Sequence, residues 1–169
     1  MKLALCLVIV VISAYIGRLM SRKLAQRLDF FREYQSAMTQ LSDKVVGTGL
    51  ELYKALTECR ISSIKPLLAR CASLLRQHPQ LKLEVIWTKS LAQSGEVVSP
   101  LSKGDIQFLK EGGHALEALC ANPSEKQSAI YLKQVADYIA LLEQEKYKKS
   151  KLYNTAGVLA GLMIALLVI

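Results

Sequence analysis

The chain has 169 residues, of which 51% are hydrophobic and 21% are charged, and its formal net charge is +8. This balance excludes a disordered chain, a collagen and a low-complexity linker, and the length fits one domain of ordinary size. Nine glycines and four prolines are few for this length, which favours helices over a many-turned β-sandwich. The excess of positive charge indicates an anionic partner, either nucleic acid or a lipid surface.

Both ends of the chain are apolar and uncharged. Residues 3–17 and 152–169 contain no charged side chain. Each run is slightly shorter than the roughly 20 apolar residues of a membrane-spanning helix, but Arg and Lys side chains at helix ends can reach the lipid headgroups and extend it. We therefore predict transmembrane anchors at 1–20 and 154–169, with a domain at 21–153 between them.

Each apolar run also has an alternative interpretation. A lysine followed by a short apolar core is typical of a cleaved signal peptide. Against this, no A-x-A site precedes residue 21, and the dense basic residues that follow resist export. The second run has the alternative of a buried core helix, but it shows no polar face at any period. These observations favour two retained anchors.

Two clusters of basic residues border the central segment. The first consists of Arg18, Arg22, Lys23 and Arg27, and the second of Lys146, Lys148, Lys149 and Lys151. The positive-inside rule then predicts a cytoplasmic centre with both termini outside. Such clusters bind anionic headgroups with about 1 kcal/mol per residue. Because the sequence lacks aromatic stacking platforms and a glycine-rich phosphate loop, we expect membrane lipid as a partner and no nucleic acid.

The central segment is predicted to be all-α, an antiparallel bundle of about six helices. Leu, Ala, Gln, Glu and Lys dominate it, and these residues favour helix. The first helix continues directly out of the N-terminal apolar run and ends at Gly47 and Gly49. Apolar stripes at helical spacing mark the core faces. In the first helix the stripe is Leu24, Leu28, Phe31, Gln35, Met38 and Val45.

Caps and prolines predict the boundaries of the next helices. We expect Thr48 to cap a short second helix. Ser62 or Ser63 should start a third, with Pro66 in its first turn, and the His78–Pro79 pair should end it. A fourth helix carries Trp87 and is predicted to end near Ser94.

The best-marked boundary is Ser102–Asp105, which has the outline of a capping box with Asp in place of Glu or Gln. It opens a fifth helix that continues through the Gly112–Gly113 pair. Each glycine there costs about 1 kcal/mol relative to Ala, so the pair predicts a kink or a close helix crossing. The run Asn122–Glu125 supplies a cap, a proline at the first helical position and an acid for the sixth helix.

The sequence contains no catalytic constellation and no nucleotide or hydrolase motif. His78 and His114 are predicted to be surface or boundary residues, and Trp87 a core anchor. Glu143 and Glu145 lie two apart on a helix and point to different faces, which excludes a paired role. We therefore expect no enzymatic activity, no cofactor and no metal. Four cysteines without C-x-x-C spacing are predicted to be reduced, buried small hydrophobes: Cys6, Cys59, Cys71 and Cys120.

An ordered set of residues runs through the second half of the chain. In sequence order it contains Trp87, Leu91, Leu101, Ser102, Asp105, Phe108, Gly113, Gln127, Lys151–Tyr153 and Gly157–Leu162. This combination resembles the stage III sporulation protein AB family over almost the whole chain. The first half matches in length and pattern. One departure follows the glycine pair, where His114–Ala115 stands in place of the Leu-Gly that members tend to show.

The resemblance implies a role that the residues alone do not indicate. It implies membership of an eight-protein complex made in the mother cell during engulfment, which helps to form a channel to the forespore. The domain would resemble the helical domain of inner-membrane platform proteins of type II secretion and type IV pilus machines. It would then lie in the outer forespore membrane, above a cytoplasmic secretion-type ATPase. The family has no catalytic residues to transfer.

Other functional hypotheses and assembly states stay open. The chain fits a generic membrane-anchored adaptor or sensor that reads lipid through its basic ends. It also fits a membrane enzyme with an unrecognised site. Gly157 and Gly161 have a small-xxx-small spacing that lets helices approach closely. This spacing makes a homo-oligomer, or packing against the first span, a further expectation.

Overall fold

The computed structural model describes residues 2–59, 61, 63–122 and 124–168. Side chains at 2–10, 14, 154, 157, 158, 161, 162 and 165–168 are outside the described set. The described residues form seven helices and no strand. They are α1 (Lys2–Ser42), α2 (Leu52–Glu58), α3 (Lys65–Gln77), α4 (Leu83–Gln93), α5 (Gly95–Val98), α6 (Lys103–Ala121) and α7 (Glu125–Val168).

The prediction of an all-α chain is confirmed, and the helix count needs one correction. The additional element is α5, a single turn directly after α4. It forms because the carbonyl of Ser94 accepts hydrogen bonds from the amides of Val97 and Val98, at 3.0 and 3.1 Å. So short a turn carries no apolar periodicity, and the sequence pattern therefore does not reveal it.

The chain divides into two units. One consists of Met1–Asp29 and Ile139–Ile169, and the other of Phe30–Tyr138. The predicted anchor boundaries near residues 20 and 154 fall inside the continuous helices α1 and α7. Among the described residues, no helix is both long and apolar enough to cross a membrane. Much of the two predicted spans lies outside the described side chains, so the anchors stay predictions.

Aromatic and aliphatic side chains fill the interior of the unit formed by residues 30–138. The predicted stripe residues Phe31, Met38 and Val45 are buried, whereas Gln35 is half-buried. The buried set also includes Tyr34 of α1, outside the predicted stripe. The largest fully buried side chains there are Trp87, Tyr34, Phe31, Leu41, Leu56, Ile64, Leu67, Leu68, Ile86, Leu109 and Leu116.

The predicted end of the first helix is confirmed, but its neighbour begins differently. A π-helical turn at Asp43–Gly47 closes α1, and Gly49 has a φ of +63°, a left-handed conformation that glycine adopts without strain. Thr48 does not cap α2. Its hydroxyl donates a hydrogen bond back to the Lys44 carbonyl at 2.5 Å. Glu51 occupies the N-cap position of α2, without a side-chain hydrogen bond.

The starts predicted for the third and sixth helices are wrong in detail. Ile64, not a serine, occupies the N-cap of α3, with Pro66 in its first turn as expected; Ser62 lies outside the described residues. Asn122 ends α6, because its amide donates to the Ala118 carbonyl at 3.0 Å. The acid predicted for the first turn of α7 is present as its first residue, Glu125. Pro123, which was expected at the first helical position, lies outside the described residues.

The remaining boundaries are confirmed. His78 caps the end of α3, and α4 ends one residue before Ser94. The capping box of α6 is complete. The Ser102 hydroxyl accepts from the Asp105 amide at 3.2 Å, and the Asp105 carboxylate accepts from the Ser102 amide at 2.6 Å. These two bonds satisfy amides that the first turn would otherwise leave unpaired.

Candidate functional site

Helices α1 and α7 run antiparallel in the unit that contains both chain ends. The hydroxyl oxygens of Ser21 and Ser150 share a hydrogen bond at 2.5 Å. Farther along, the guanidinium of Arg27 donates to the carboxylate of Glu145 at 2.9 Å. Residue numbers rise along α1 as they fall along α7, so the two basic clusters reach the same level. We name residues 18–27 with 145–151 the basic helix pair.

Most of the predicted basic residues are exposed on this pair. Arg27 and Lys146 are half-buried. The exposed ones are Arg18, Arg22, Lys23, Lys148, Lys149 and Lys151. The structure therefore brings both sequence clusters to one stretch of one helix pair. Their contact with lipid stays a prediction.

Glu145 lies between cations from both helices. Lys149, one turn further along α7, contacts one carboxylate oxygen, and Arg27 of α1 contacts the other. The hydrogen bond from Lys149, together with the charge of Arg27, lowers the pKa of Glu145, and that bond raises the pKa of Lys149. Glu145 therefore stays ionised and fixes the register of α1 against α7.

The sequence alone does not reveal the role of Glu145. Glu143, two residues away, points to a different face of the helix and offers it no paired function. The available signal was the Glu-to-Lys spacing of four residues between Glu145 and Lys149, which supports ion pairs on a helix. Nothing in the sequence connects Glu145 to Arg27, because the two are remote along the chain. An ion pair with this much exposure contributes at most about 1 kcal/mol, so its main effect is alignment.

In the unit of residues 30–138, the glycine pair marks a close helix crossing. A Cβ added to Gly113 would lie 3.2 Å from the Glu84 Cα atom and 3.0 Å from Trp87 Cδ1, so α4 approaches the α6 backbone directly. Trp87 is fully buried, and its indole N–H donates to the Leu109 carbonyl at 2.6 Å. The crossing and the core position of Trp87 are both confirmed.

Gly112 lies beneath a pair of buried tyrosine hydroxyls. The hydroxyl oxygens of Tyr34 and Tyr131 are 2.8 Å apart, and both press on the face of α6 at this glycine. Burial raises the pKa of Tyr34 well above its usual value and that of Tyr131 to about 12. Both rings are therefore neutral at physiological pH, and their hydrogen bond is a structural link between α1 and α7.

The carboxylate of Asp105 is also buried and structural. Besides its capping bond, it accepts a hydrogen bond from the Tyr138 hydroxyl at 2.6 Å. The ring of Tyr138 stacks on Phe108 with centroids 4.2 Å apart, and Phe31 meets it edge-on at 4.9 Å. The Asp105 carboxylate thus accepts hydrogen bonds from the Ser102 amide and from the Tyr138 hydroxyl. These bonds and the ring contacts connect the start of α6 to α7, which is a structural role.

Both histidines and two of the four cysteines behave as predicted. His78 and His114 are exposed, and the His114 Nε2 atom lies 3.3 Å from the Glu84 carboxylate. Cys59 and Cys71 are buried, and burial raises the pKa of Cys71 to about 11. Cys120 is exposed, contrary to expectation, because it faces outward in the last turn of α6. Cys6 lies outside the described side chains.

The described part of the chain holds no group of three His, Cys, Asp or Glu residues that could hold a metal ion. The arrangement instead consists of a charged helix pair and a packed helical unit. Such features suit binding and alignment.

Comparison with known protein families gives a match over nearly the whole chain. No curated protein and no solved structure matches the chain significantly. The family model for stage III sporulation protein AB matches residues 2–169, in agreement with the resemblance seen in the second half of the sequence. This family takes part in stage III of sporulation. Since the match covers nearly every residue, the chain belongs to the stage III sporulation protein AB family.

Proposed function

We propose that this protein is a non-enzymatic membrane platform of a secretion-like sporulation complex. It acts in the mother cell, in the membrane that surrounds the forespore, and belongs to a channel between the two compartments. Its helical unit faces the mother-cell cytoplasm and couples a secretion-type ATPase to the other members of the complex.

One observation carries the proposal, namely the pairing of the two chain ends. The Ser21–Ser150 bond and the Arg27–Glu145 ion pair hold α1 antiparallel to α7 with the basic residues at one level. Beyond that level, both helices continue into uncharged apolar sequence in the same direction. Two membrane anchors that begin at the same level hold a domain in a more fixed orientation than one anchor, because the second restricts rotation about the first.

The basic residues support the orientation of this platform. Each exposed cation near anionic lipid contributes about 1 kcal/mol of binding free energy. Several such cations at one level would keep this part of the helix pair next to the lipid headgroups. The packed unit supports the coupling role, since a platform must transmit force without unfolding. Its buried links, such as Tyr34 to Tyr131 and Trp87 to Leu109, join helices that are distant in sequence.

A topology experiment tests the proposal. A reporter that is active only outside the cytoplasm is fused to either end of the full chain, and a cytoplasmic reporter is fused at the same positions in parallel. We expect the external reporter to be active at both ends. Cytoplasmic activity at both ends would overturn the topology and the platform function together, because the basic level would then not face the headgroups of two crossing anchors.

A further inference from the structure

An open groove lies between α2 and α3 on the unit of residues 30–138. Its volume is about 560 Å³. The lining residues include Tyr53, Thr57, Ala69, Ala72, Ser73 and Arg76. We name this feature the α2–α3 groove. These lining residues all belong to this unit, whereas the basic helix pair belongs to the other.

The groove has a floor of small residues and an aromatic wall. Ala69, Ala72 and Ser73 of α3 form the floor, so a bulky side chain can approach the α3 backbone closely. Tyr53 of α2 stands at the wall with 39% of its surface exposed. A second hollow of about 750 Å³ shares Thr57 with the first. The two hollows therefore adjoin at Thr57, with Arg76 beside the first and Lys65 beside the second.

Cations outnumber acids at the groove, since Lys44, Lys65 and Arg76 line the two hollows and Glu58 is the one acid in their lining. The chain has no Asp or Glu between Glu58 and Glu84, although that stretch includes the whole of α3. The same stretch carries five cations, namely Arg60, Lys65, Arg70, Arg76 and Lys82. A helix without a single acid departs from the mixed charge of an ordinary solvated surface.

The acids of α2 do not offset this charge. Glu58 pairs with Lys44 at 2.8 Å, and Glu51 pairs with Lys54 at 3.2 Å, so each is already matched to a nearby lysine. Of the α3 cations, Arg70 donates to the Gln93 carbonyl at the end of α4. Lys65 and Arg76 are exposed at the two ends of α3, one beside each hollow.

We propose that the α2–α3 groove binds an acidic, amphipathic helix of a partner protein. Lys65 and Arg76 are eleven positions apart, about 16 Å along α3 and on nearly the same face of the helix. A partner helix lying in the groove would meet them with two carboxylates about three turns apart. A bulky apolar side chain between those acids would rest on the small-residue floor beside Tyr53, as in other helix-in-groove complexes.

The charge argues against a second copy as the occupant. A net charge of +8 makes two copies of this chain repel each other, and α3 is one of its most basic elements. The inference rests on the proposed function in one respect only, namely that the unit of residues 30–138 faces the cytoplasm and is accessible to other proteins there. It goes beyond that function by assigning a surface and the chemistry of its partner.

Photo-crosslinking of the full chain in sporulating cells tests the inference. Benzoylphenylalanine replaces Tyr53, a close match in shape, and the crosslinked segment is sequenced. We expect a protein segment with two acids about three helical turns apart.

Charge reversal in the groove tests the role of its cations. The variant Lys65→Glu/Arg76→Glu should lower the yield of the crosslinked product at least tenfold. The control Lys126→Glu/Lys133→Glu, with the same charge change at exposed positions of α7, should retain it. Replacing the partner's two acids by lysines should restore binding to the Lys65→Glu/Arg76→Glu variant.

A neutral variant separates charge from shape. Ala69→Trp fills the groove floor and should abolish the crosslink, whereas Ala129→Trp on the exposed face of α7 should not. Circular dichroism of each full-length variant shows whether it has folded. A crosslink to lipid, to a second copy or to a segment without acids would overturn the inference, and so would its absence.

The same cells distinguish this inference from the proposed function. If the parent chain captures the secretion-type ATPase but gives no crosslink at position 53, the inference about the α2–α3 groove is overturned and the proposed function stands. A crosslink at position 53 to an acidic segment of a different protein, with no capture of the ATPase, would overturn the coupling role and leave the groove standing.

Discussion

Replacing Gly112 by alanine should destabilise the protein, although alanine is the better helix former. The Cβ atom would lie 2.8 Å from the Tyr131 hydroxyl oxygen and closer still to that of Tyr34. The helix propensity of Ala favours the variant by about 1 kcal/mol. Overpacking costs about 1–3 kcal/mol, and separating two buried hydroxyls leaves each without its partner at a similar cost. The net effect is a loss of about 3 kcal/mol.

Removing both hydroxyls should reverse the sign of that substitution. In a Tyr34→Phe/Tyr131→Phe background, both hydroxyl oxygens are gone. The nearest atom of these two rings to a Cβ at position 112 is then Cζ of residue 34, at 3.5 Å, which is an ordinary van der Waals contact. Removing both partners of a hydrogen bond together is nearly neutral. Gly112→Ala should then stabilise the chain by up to about 1 kcal/mol, the helix-propensity difference alone.

Thermal unfolding of the four full-length proteins, followed by circular dichroism, measures this cycle. For a chain of this size, a loss of 3 kcal/mol lowers Tm by roughly 6–12 °C. Gly113→Ala is the matched control, because its obstruction is Trp87 and the α4 backbone, which the tyrosine changes leave in place. Equal costs of Gly112→Ala in both backgrounds would refute the view that the hydroxyl pair needs this glycine.

Three further predictions follow from the buried links and the basic helix pair. Trp87→Ala should lower the free energy of unfolding by about 3–5 kcal/mol in chemical denaturation, and a neutral result would mean that the ring is exposed. The pKa values of Tyr34 and Tyr131 are raised by burial, so the stability they confer is complete below their ordinary pKa near 10 and is lost as pH rises towards about 12. The double phenylalanine variant should therefore melt with a weaker pH dependence between pH 10 and 12. Glutamine at all four lysines of the C-terminal cluster should weaken complex assembly without unfolding the chain, since each cation contributes about 1 kcal/mol at anionic lipid. Full sporulation of that fourfold variant, or its loss after one single change, would contradict this role for Lys146, Lys148, Lys149 and Lys151.

Local signals in the sequence predict much of the fold. The capping box at Ser102–Asp105 needs only residues three apart, and both of its hydrogen bonds are present. Gly47 and Gly49 predict the end of α1, and Gly49 has a left-handed backbone, with a φ of +63°, that few other residues adopt. The glycine pair in α6 predicts a crossing because a missing side chain leaves room for a neighbouring helix. Each of these features depends on the chain within one or two turns.

Other features depend on contacts that sequence periodicity does not encode. Tyr34 lies outside the stripe read from α1, yet it is fully buried, because its hydroxyl finds Tyr131 of α7. Arg27 and Glu145 lie at opposite ends of the chain and meet only because α1 and α7 are antiparallel. Thr48 does not cap α2, because that helix begins at Leu52 with Glu51 at its N-cap position, and the Thr48 hydroxyl instead donates to the Lys44 carbonyl.

Capture of the secretion-type ATPase from sporulating cells tests the platform role most directly. The full chain is crosslinked in the intact membrane, purified, and its partners are identified, with a matched sample from cells that lack the ATPase. The platform role predicts that the ATPase is recovered, and that its crosslinks map to residues 30–138 rather than to the two apolar ends. Recovery of other members of the complex without the ATPase, in cells that contain it, would contradict the coupling role.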